Sequence, residues 1–179
     1  KSAIVAHAAS ALAKSGQNVL VIDLNSGSNG AGHLLGMNGS AVRLSDLLSS
    51  PKKPPEEEAQ TSVPNVSFAS ADGNGSGKFS RKMKNGELFS KLRGLKFDTI
   101  FLDLGLITDR VKEDFFVQAD HRIVVSAPGA LSVESLGRTV PGLVVRYFEN
   151  SAKWRNGARK AANALRELFS EIRKHESPD

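Results

Sequence analysis

The sequence predicts a three-layer α/β fold, in which helices cover both faces of a doubly wound and mostly parallel β-sheet. Two observations lead to this prediction. Apolar runs rich in β-branched residues alternate with segments of helical periodicity, and these runs are apolar on both faces. The chain has 179 residues, 40% of them hydrophobic, which is enough for one such domain around a single core.

Each element is assigned from its local pattern. Apolar residues recur at helical spacing over 2–14, and Ser15 and Gly16 end that helix. An uninterrupted apolar run from Val19 to Ile22 predicts a strand buried on both faces. The remaining predicted elements are, in chain order, a glycine-rich loop over 24–32, a helix over 44–50, a strand over 63–69, a helix over 84–94, a strand over 97–102, a helix over 110–118, a strand over 122–126 and a helix that starts near Ser132.

The chain divides into a domain over 1–150 and a C-terminal basic amphipathic helix with its tail over 151–179. We interpret the Pro-rich, charged segment 51–62 as a surface linker within the domain. Residues 141–150 fit a final strand and a continued helix equally well. The strands and their acidic ends all lie in 1–150, so the domain is where we expect the chemistry.

The terminal helix combines an apolar stripe with flanking basic residues over 151–174. Such a stripe most often packs on the sheet of its own domain. Because the stripe carries Trp154 and Phe169 among Lys and Arg residues, it also suits an anionic membrane surface or a membrane-protein partner. Both interpretations stay open at the level of sequence.

Composition excludes several kinds of site. The chain has no cysteine and its four histidines lack ligand spacing, so no zinc-type metal site is expected. No apolar run approaches the roughly 20 residues that span a bilayer. We therefore expect a cytoplasmic protein, whose contact with the inner face of the membrane would be peripheral. A net charge of +5 allows weak, nonspecific and salt-sensitive binding to DNA.

Charged and hydroxyl side chains mark the ends of two predicted strands and the start of one helix. Asp23 ends the run VLVID, Asp103 ends the run FDTIFLD, and Lys1-Ser2 precedes the first helix. Ligands of open parallel sheets bind at the carboxyl ends of the strands. In a phosphate-binding loop a Lys reaches the β- and γ-phosphates, a Ser hydroxyl holds Mg²⁺, and a strand-end acid supports the metal. We therefore interpret these four residues as one site for ATP and Mg²⁺.

The glycines that such a loop requires are not found around Lys1. We expect the first strand and the phosphate loop to lie upstream of Lys1, outside this sequence. Taken alone, Lys1-Ser2 would indicate only an exposed helix start with a Ser cap. The two strand-end acids are what favour the phosphate site.

The sequence resembles the MinD/ParA-type ATPases, a group of P-loop NTPases, over KSAIVAHAASALAKSGQNVLVID. This segment is similar to the one that runs from the Lys-Ser/Thr of a deviant Walker A motif through the next strand. Within that superfamily, LSDLLSS, VPNVSFASAD and GELFSKLRGLKFDTIFLDLG resemble the tyrosine-kinase domains of capsule and exopolysaccharide assembly. Residues 103–132 also resemble the flagellar and MinD-like branch.

The resemblance implies a P-loop NTPase-type fold and an ATP-dependent regulatory switch that forms a homodimer on ATP binding. The implied process is polysaccharide assembly or else positioning and partitioning in the cell. The implied site residues are Lys1, Ser2, Asp23, Asp103 and Pro128 for the nucleotide, Ser2 and Asp103 for Mg²⁺, and Lys1, Asp23 and Asn25 for catalysis.

The chain departs from the family pattern at positions that matter for turnover. The family has a second acid two residues after the first, where this chain has Asn25. An amide orients water but is a weaker base and metal ligand than a carboxylate. With Tyr147 as its single tyrosine, the chain lacks the tyrosine cluster of the kinase branch, so tyrosine-kinase activity is not expected. Three hypotheses stay open: an ATPase switch, a noncatalytic pseudo-ATPase scaffold, and a basic DNA-associated partitioning module.

Overall fold

A computed structural model describes residues 1–25, 30–37, 41–49, 60–71, 85–107 and 110–126, together with the backbone of 143–147. Its helices are α1 Ser2–Lys14, α2 Gly30–Leu34, α3 Leu44–Ser49, α4 Asn85–Arg93 and α5 Arg110–Gln118. Its strands are β1 Val19–Asp23, β2 Val42–Arg43, β3 Val66–Ser70, β4 Thr99–Asp103, β5 Arg122–Ser126 and β6 Leu143–Tyr147.

The described strands form two parallel groups. Four of them make one sheet in the order β2-β3-β1-β4, and β5 pairs with β6. Every pairing between these strands is parallel. Because β1 lies between β3 and β4 in register, Asp23 at its end is opposite both Ser70 and Asp103. The predicted α/β fold with a parallel sheet is confirmed.

Helix α1 covers one face of this sheet. The side that it buries consists of five alanines and Leu12, whose small combined volume allows the helix to lie close to the strands. Val19 and Val21 of β1 share a hydrophobic cluster with this helix. The helix ends at Lys14, and Gly16, two residues further on, has a φ of 92°, the left-handed conformation that follows the end of many helices.

The other residues of β1 lie on the opposite face of the sheet. Leu20 and Ile22 join a second cluster with residues of α3, α4 and α5, among them Leu47, Leu88 and Phe115. Helices therefore lie on both sides of the sheet in three layers. This arrangement explains why all five residues of β1 are buried.

Strand β3 begins three residues later than the alternating pattern predicts. The Thr61 hydroxyl accepts the N–H of Val63 at 3.1 Å and donates to the carbonyl of Val66 at 3.0 Å. Asn65 adopts a left-handed φ of 61°. These local hydrogen bonds and the left-handed residue form a turn, which competes with strand formation up to Val66.

Two further predictions are resolved by the structure. Helix α2 begins at Gly30, inside the loop predicted for 24–32. Residues Leu143–Tyr147 form a strand, which decides between the two alternatives for 141–150. The helix predicted to start near Ser132, the linker up to residue 59 and the helix over 151–174 lie outside the described residues. No helix in the described part of the chain is both long and apolar enough to cross a membrane.

Candidate magnesium and nucleotide site

The two strand-end acids lie side by side at the carboxyl edge of the sheet. Asp23 and Asp103 are partners in the register of β1 and β4, and the residues are only 4% and 3% exposed. The N–H of Leu24 donates to the Asp103 carbonyl at 2.9 Å, so the pairing of the two strands continues past the acids. Neighbouring parallel strands thus bring together two carboxylates that are 80 residues apart in sequence.

Both acids make the same local turn. Asp23 Oδ1 accepts the N–H of Asn25 at 2.8 Å, and Asp103 Oδ1 accepts the N–H of Gly105 at 3.2 Å. The other carboxylate oxygen of each residue is buried, and neither Oδ2 has a hydrogen-bond partner among the described residues. A buried polar atom without a partner is costly, so two such atoms at one place indicate a ligand site.

Burial raises the pKa of Asp23 from 3.8 to about 6. The hydrogen bond from the N–H of Asn25 acts against burial, the negative charge of Asp103 raises the pKa further, and the positive charge of Lys112 lowers it. Desolvation and like-charge repulsion both penalise the ionised carboxylate. A cation bound between the two acids would counteract both effects.

The free oxygens of this acid pair fit Mg²⁺. Magnesium prefers oxygen ligands and is commonly held by one or two carboxylates together with waters and substrate phosphates. The Oδ2 atoms of Asp23 and Asp103 are oxygens of this type, and they lie at the sheet edge where ligands of parallel sheets bind.

The start of α1 reaches the same edge. Lys1 immediately precedes the helix, and its Nζ donates to the carbonyl of Gly105 at 3.0 Å, in the turn that follows Asp103. Ser2 is the first helical residue, and no side-chain capping hydrogen bond is made at Lys1, which is the cap position. The expectation of a simple Ser cap therefore does not describe this helix start. Its first N–H groups suit an anion instead.

Gly105 lies where the two acid turns and Lys1 meet. Its φ of 62° is left-handed, and a Cβ added there would lie 2.5 Å from the side-chain oxygen of Asn25. Glycine is the residue that tolerates both conditions. Asn25 therefore packs on the turn after Asp103 while its N–H binds Asp23, so it joins the ends of the two strands.

A buried lysine beside this edge was missed by the sequence analysis. Lys112 of α5 is 5% exposed, and its Nζ donates to the carbonyl of Leu106 at 3.2 Å. In the sequence it stands in the polar stretch RVKED, where a lysine is expected to face solvent. No local signal distinguishes it from its exposed neighbours.

A groove of about 760 Å³ runs between β4 and β5. Among the described strands, β4 pairs only with β1 and β5 only with β6, so two unpaired edges face this groove. Ile4 of α1 lines it, as do Leu92 of α4 and Phe115 of α5, and Lys1 and Asp103 contribute to the same lining. A strand placed in this groove would therefore lie inside a sheet, with a strand edge on each side of it and helices around it.

The structure brings Lys1, Asp23, Asn25 and Asp103 into one cluster, with Ser2 next to it in the chain. Pro128 lies outside the described residues. Gly105 and Lys112 are the members of the cluster that sequence reasoning did not identify.

Comparisons with known proteins place this geometry in a fold class. No family model matches the chain, and no curated protein matches it in sequence. A ParA-family ATPase from Chlorobium tepidum TLS has a TM-score of 0.61 at 19% identity, over 90% of this chain and 75% of that one. The septum site-determining protein MinD from Pyrococcus horikoshii OT3, solved with Mg-ADP, has a TM-score of 0.57 at 15% identity, over 89% and 80%. The BceF tyrosine kinase domain has a TM-score of 0.51 at 22% identity, over 76% and 59%.

The fold is therefore that of the P-loop NTPases. More narrowly, it is the fold of MinD and ParA ATPases, and the resemblance to the MinD/ParA-type superfamily read from the sequence is confirmed at this level.

Proposed function

We propose that this chain is the nucleotide-binding core of a MinD/ParA-type ATPase that acts as an ATP-dependent regulatory switch. The observation that carries the proposal is a pair of buried oxygens near Lys1, one each from Asp23 and Asp103, that have no hydrogen-bond partner among the described residues. The MinD structure solved with Mg-ADP supports it, because that protein has the same fold.

Each residue has its own proposed role. Lys1 would leave the Gly105 carbonyl and contact the β- and γ-phosphates, while Ser2 would hold Mg²⁺ through its hydroxyl. Asp103 would bind the metal or its water shell, and Asp23 would position the phosphate end of the site and the attacking water together with Asn25. Bound Mg²⁺ would neutralise phosphate charge during transfer. Pro128 is proposed for the loop around the nucleotide base.

We propose that the groove between β4 and β5 receives a strand that precedes Lys1 in the full protein. Support comes from the two facing edges, which no other described strand pairs with, and from the helices that line the groove. Paired strands lie about 4.8 Å apart, so a strand that hydrogen-bonds to both edges requires them to lie about twice that distance apart. A glycine-rich loop between that strand and Lys1 would supply the backbone N–H groups that wrap the phosphates.

Hydrolysis separates the ATPase switch from the noncatalytic scaffold. Because Asn25 stands where the resemblance places an acid, we expect slow hydrolysis even with Mg-ATP bound. Replacing the amide by a carboxylate in Asn25→Asp should raise the rate on the order of a hundredfold, with nucleotide affinity nearly unchanged. Steady-state phosphate release measures the rate in both proteins. Fast hydrolysis by the natural protein that Asn25→Asp does not increase would show that this position is not catalytic.

Partners follow from the same proposal. ATP binding would produce a homodimer, and residues 151–174, whose sequence predicts an amphipathic helix, would contact a membrane surface or a membrane protein. Weak binding to DNA through the basic surface is the alternative role that the net charge supports. Polysaccharide assembly and cellular positioning both remain proposals for the process, because proteins with this fold include ParA, MinD and a tyrosine kinase domain.

Calorimetry with Mg-ATP tests the proposal. The chain 1–179 should bind poorly because the N–H cradle is absent, whereas the protein extended upstream should bind with micromolar affinity, about 8 kcal/mol. Micromolar binding by 1–179 alone, or no binding by the extended protein, would contradict the proposed site.

A further inference from the structure

Strands β4 and β5 begin at the same end of the groove that separates them. They run in the same direction, because α5 carries the chain from the end of β4 back to the start of β5. An ion pair of 2.6 Å between Arg93, which ends α4, and Asp120, which precedes β5, lies beside both strand starts. We call this the amino end of the groove, and its charged lining residues are Arg93, Asp98, Asp120 and Arg122.

The middle of the groove is apolar toward both layers of helices. Phe101 of β4 packs on the cluster of α1, whereas Ile100 and Leu102 pack on the cluster of α3, α4 and α5. A strand that fills the groove must therefore be apolar on both faces. Such a strand can slip by one residue without burying a polar side chain, so its apolar pattern does not set its register. Polar groups at the ends of the groove have to do so.

Arg122, the first residue of β5, offers a polar group at the amino end. Its Nη1 donates to the carbonyl of Val117 at 2.8 Å, which holds the side chain beside the turn that leads into β5. Its Nε is buried and has no hydrogen-bond partner among the described residues. A buried donor without a partner is costly, so this N–H indicates an acceptor that a segment bound in the groove supplies.

A backbone carbonyl is the acceptor that fits this end of the groove. Asp98 and Asp120 line the same end, so a further carboxylate would add a like charge. The residue with which a strand enters a sheet has a carbonyl that lies ahead of both neighbouring ladders and needs a donor from elsewhere. Lys1 lines the opposite end, where its Nζ binds the Gly105 carbonyl, so the segment that precedes it adjoins the groove.

We propose that Arg122 sets the register of the strand that precedes Lys1, because its Nε donates to the backbone carbonyl with which that strand enters the groove. This inference rests on the proposed function, which assigns a strand to the groove, and adds the residue that fixes its position. Arg122 is a positioning residue, since it lies at the end of the groove opposite to the proposed magnesium site.

Amide hydrogen exchange tests the register. In the protein extended upstream, the backbone N–H groups of β4 and β5 that face the groove should be protected, because the inserted strand pairs with them. Arg122→Met should reduce this protection at the first residues of both strands by at least about tenfold, since a hydrogen bond from a charged donor contributes that factor or more. Unchanged protection there would overturn the proposal.

Thermal unfolding separates this role from the contact with Val117, which is present with or without the strand. Arg122→Met should lower the melting temperature of the extended protein by at least about 4 °C more than that of 1–179. Equal shifts in the two proteins would show that Arg122 only holds the turn before β5, and the proposal would fail.

Arg93→Met is the matched control, because it removes an arginine from the same end of the groove that is already paired with Asp120. It should shift the melting temperatures of both proteins equally. An extra loss in the extended protein as large as that of Arg122→Met would overturn the role given to the Nε of Arg122.

Arg122→Lys is the second variant if Arg122→Met does not fold. Its single ammonium group can bind the Val117 carbonyl or the strand but not both, so it should also lose more stability in the extended protein than in 1–179. Equal losses would refute the proposal.

The exchange and unfolding measurements contain no nucleotide. An extended protein that protects the groove edges but fails to bind Mg-ATP would refute the nucleotide site and leave the role of Arg122 standing. Unprotected groove edges in the extended protein would overturn that role, whatever the affinity for Mg-ATP.

Discussion

Strands β1 and β4 are near copies of each other that differ in their surroundings. Both have five residues and end in an Asp, which follows four apolar residues in β1 and three in β4, and both Asp residues bind the N–H two positions further on. All five residues of β1 are buried, whereas in β4 only Asp103 is buried and the preceding four are partly exposed. The difference follows from pairing, because among the described strands β1 has a neighbour on each side and β4 has one on a single side.

This comparison separates what a strand carries in its own sequence from what its neighbours supply. The apolar run and the terminal acid are properties of each segment, and they produce the same turn twice. Burial depends on the next strand along the sheet. We therefore attribute the partial exposure of β4 to the open groove beside it, and each experiment below tests that attribution or the acid pair that the two strands share.

The largest expected effect contrasts two isoleucines that contact the same hydrophobic cluster. Ile22 of β1 is fully buried, while Ile100 of β4 is partly exposed and lines the groove. Ile22→Ala should lower the free energy of unfolding by about 4 kcal/mol and Ile100→Ala by about 2 kcal/mol. Urea denaturation measures both. In the protein extended upstream the cost at Ile100 should rise toward that at Ile22, and equal costs in 1–179 would refute the role given to the groove.

The next effect concerns the acid of β1 and its pH dependence without metal. The folded-state pKa of Asp23 is about 6 and its ordinary value is 3.8, so the folded protein binds this proton more tightly than the unfolded chain. Stability should therefore decrease as the pH rises from about 4 to about 6, and Asp23→Asn should remove this loss. By linkage the variant should gain at most about 3 kcal/mol above pH 7 and nothing near pH 3. Urea denaturation in EDTA across this pH range measures the free energy of unfolding of both proteins. A difference between variant and natural protein that does not change with pH would contradict the raised pKa of Asp23.

A smaller effect separates two left-handed glycines. Gly105→Ala combines an unfavourable φ with a contact of 2.5 Å to the Asn25 side chain, whereas a Cβ at Gly16 meets nothing within 4 Å. We expect a loss of about 2 kcal/mol for Gly105→Ala and about 1 kcal/mol for Gly16→Ala. Adding Asn25→Ala should recover part of the loss at Gly105 and none at Gly16. No recovery in thermal unfolding would mean that Asn25 does not pack on the β4 turn.

The sequence predicted the features that a local pattern encodes. Alternating helices and apolar strands, the acids at Asp23 and Asp103, and the helix that begins at Ser2 all follow from periodicity or from the residue that ends a run. Their convergence could also be expected, since parallel strands end at the same edge of a sheet.

Other features depend on contacts between segments that are distant in the sequence, and no local sequence pattern predicts them. Lys112 has the polar neighbours of a surface lysine, yet the helix buries it against the turn after β4. Ile100 to Leu102 of β4 are as apolar as the β1 run, so the edge of β4 that pairs with no other described strand is visible only in the sheet. At β3 the error was local, because the side chain of Thr61 and the left-handed Asn65 stabilise a turn where alternation alone predicts a strand.

The central claim, that the ends of β1 and β4 form a magnesium-nucleotide site, is tested most directly by the Mg²⁺ dependence of ATP affinity in the protein extended upstream. Calorimetry with and without Mg²⁺ should show tighter binding with the metal in the natural protein. Asp103→Asn should lose that gain. Asp98→Asn, which changes a carboxylate that accepts the N–H of Asn18 at the start of the strands, should keep it. A full Mg²⁺ gain in Asp103→Asn would show that the metal binds elsewhere and would contradict the account.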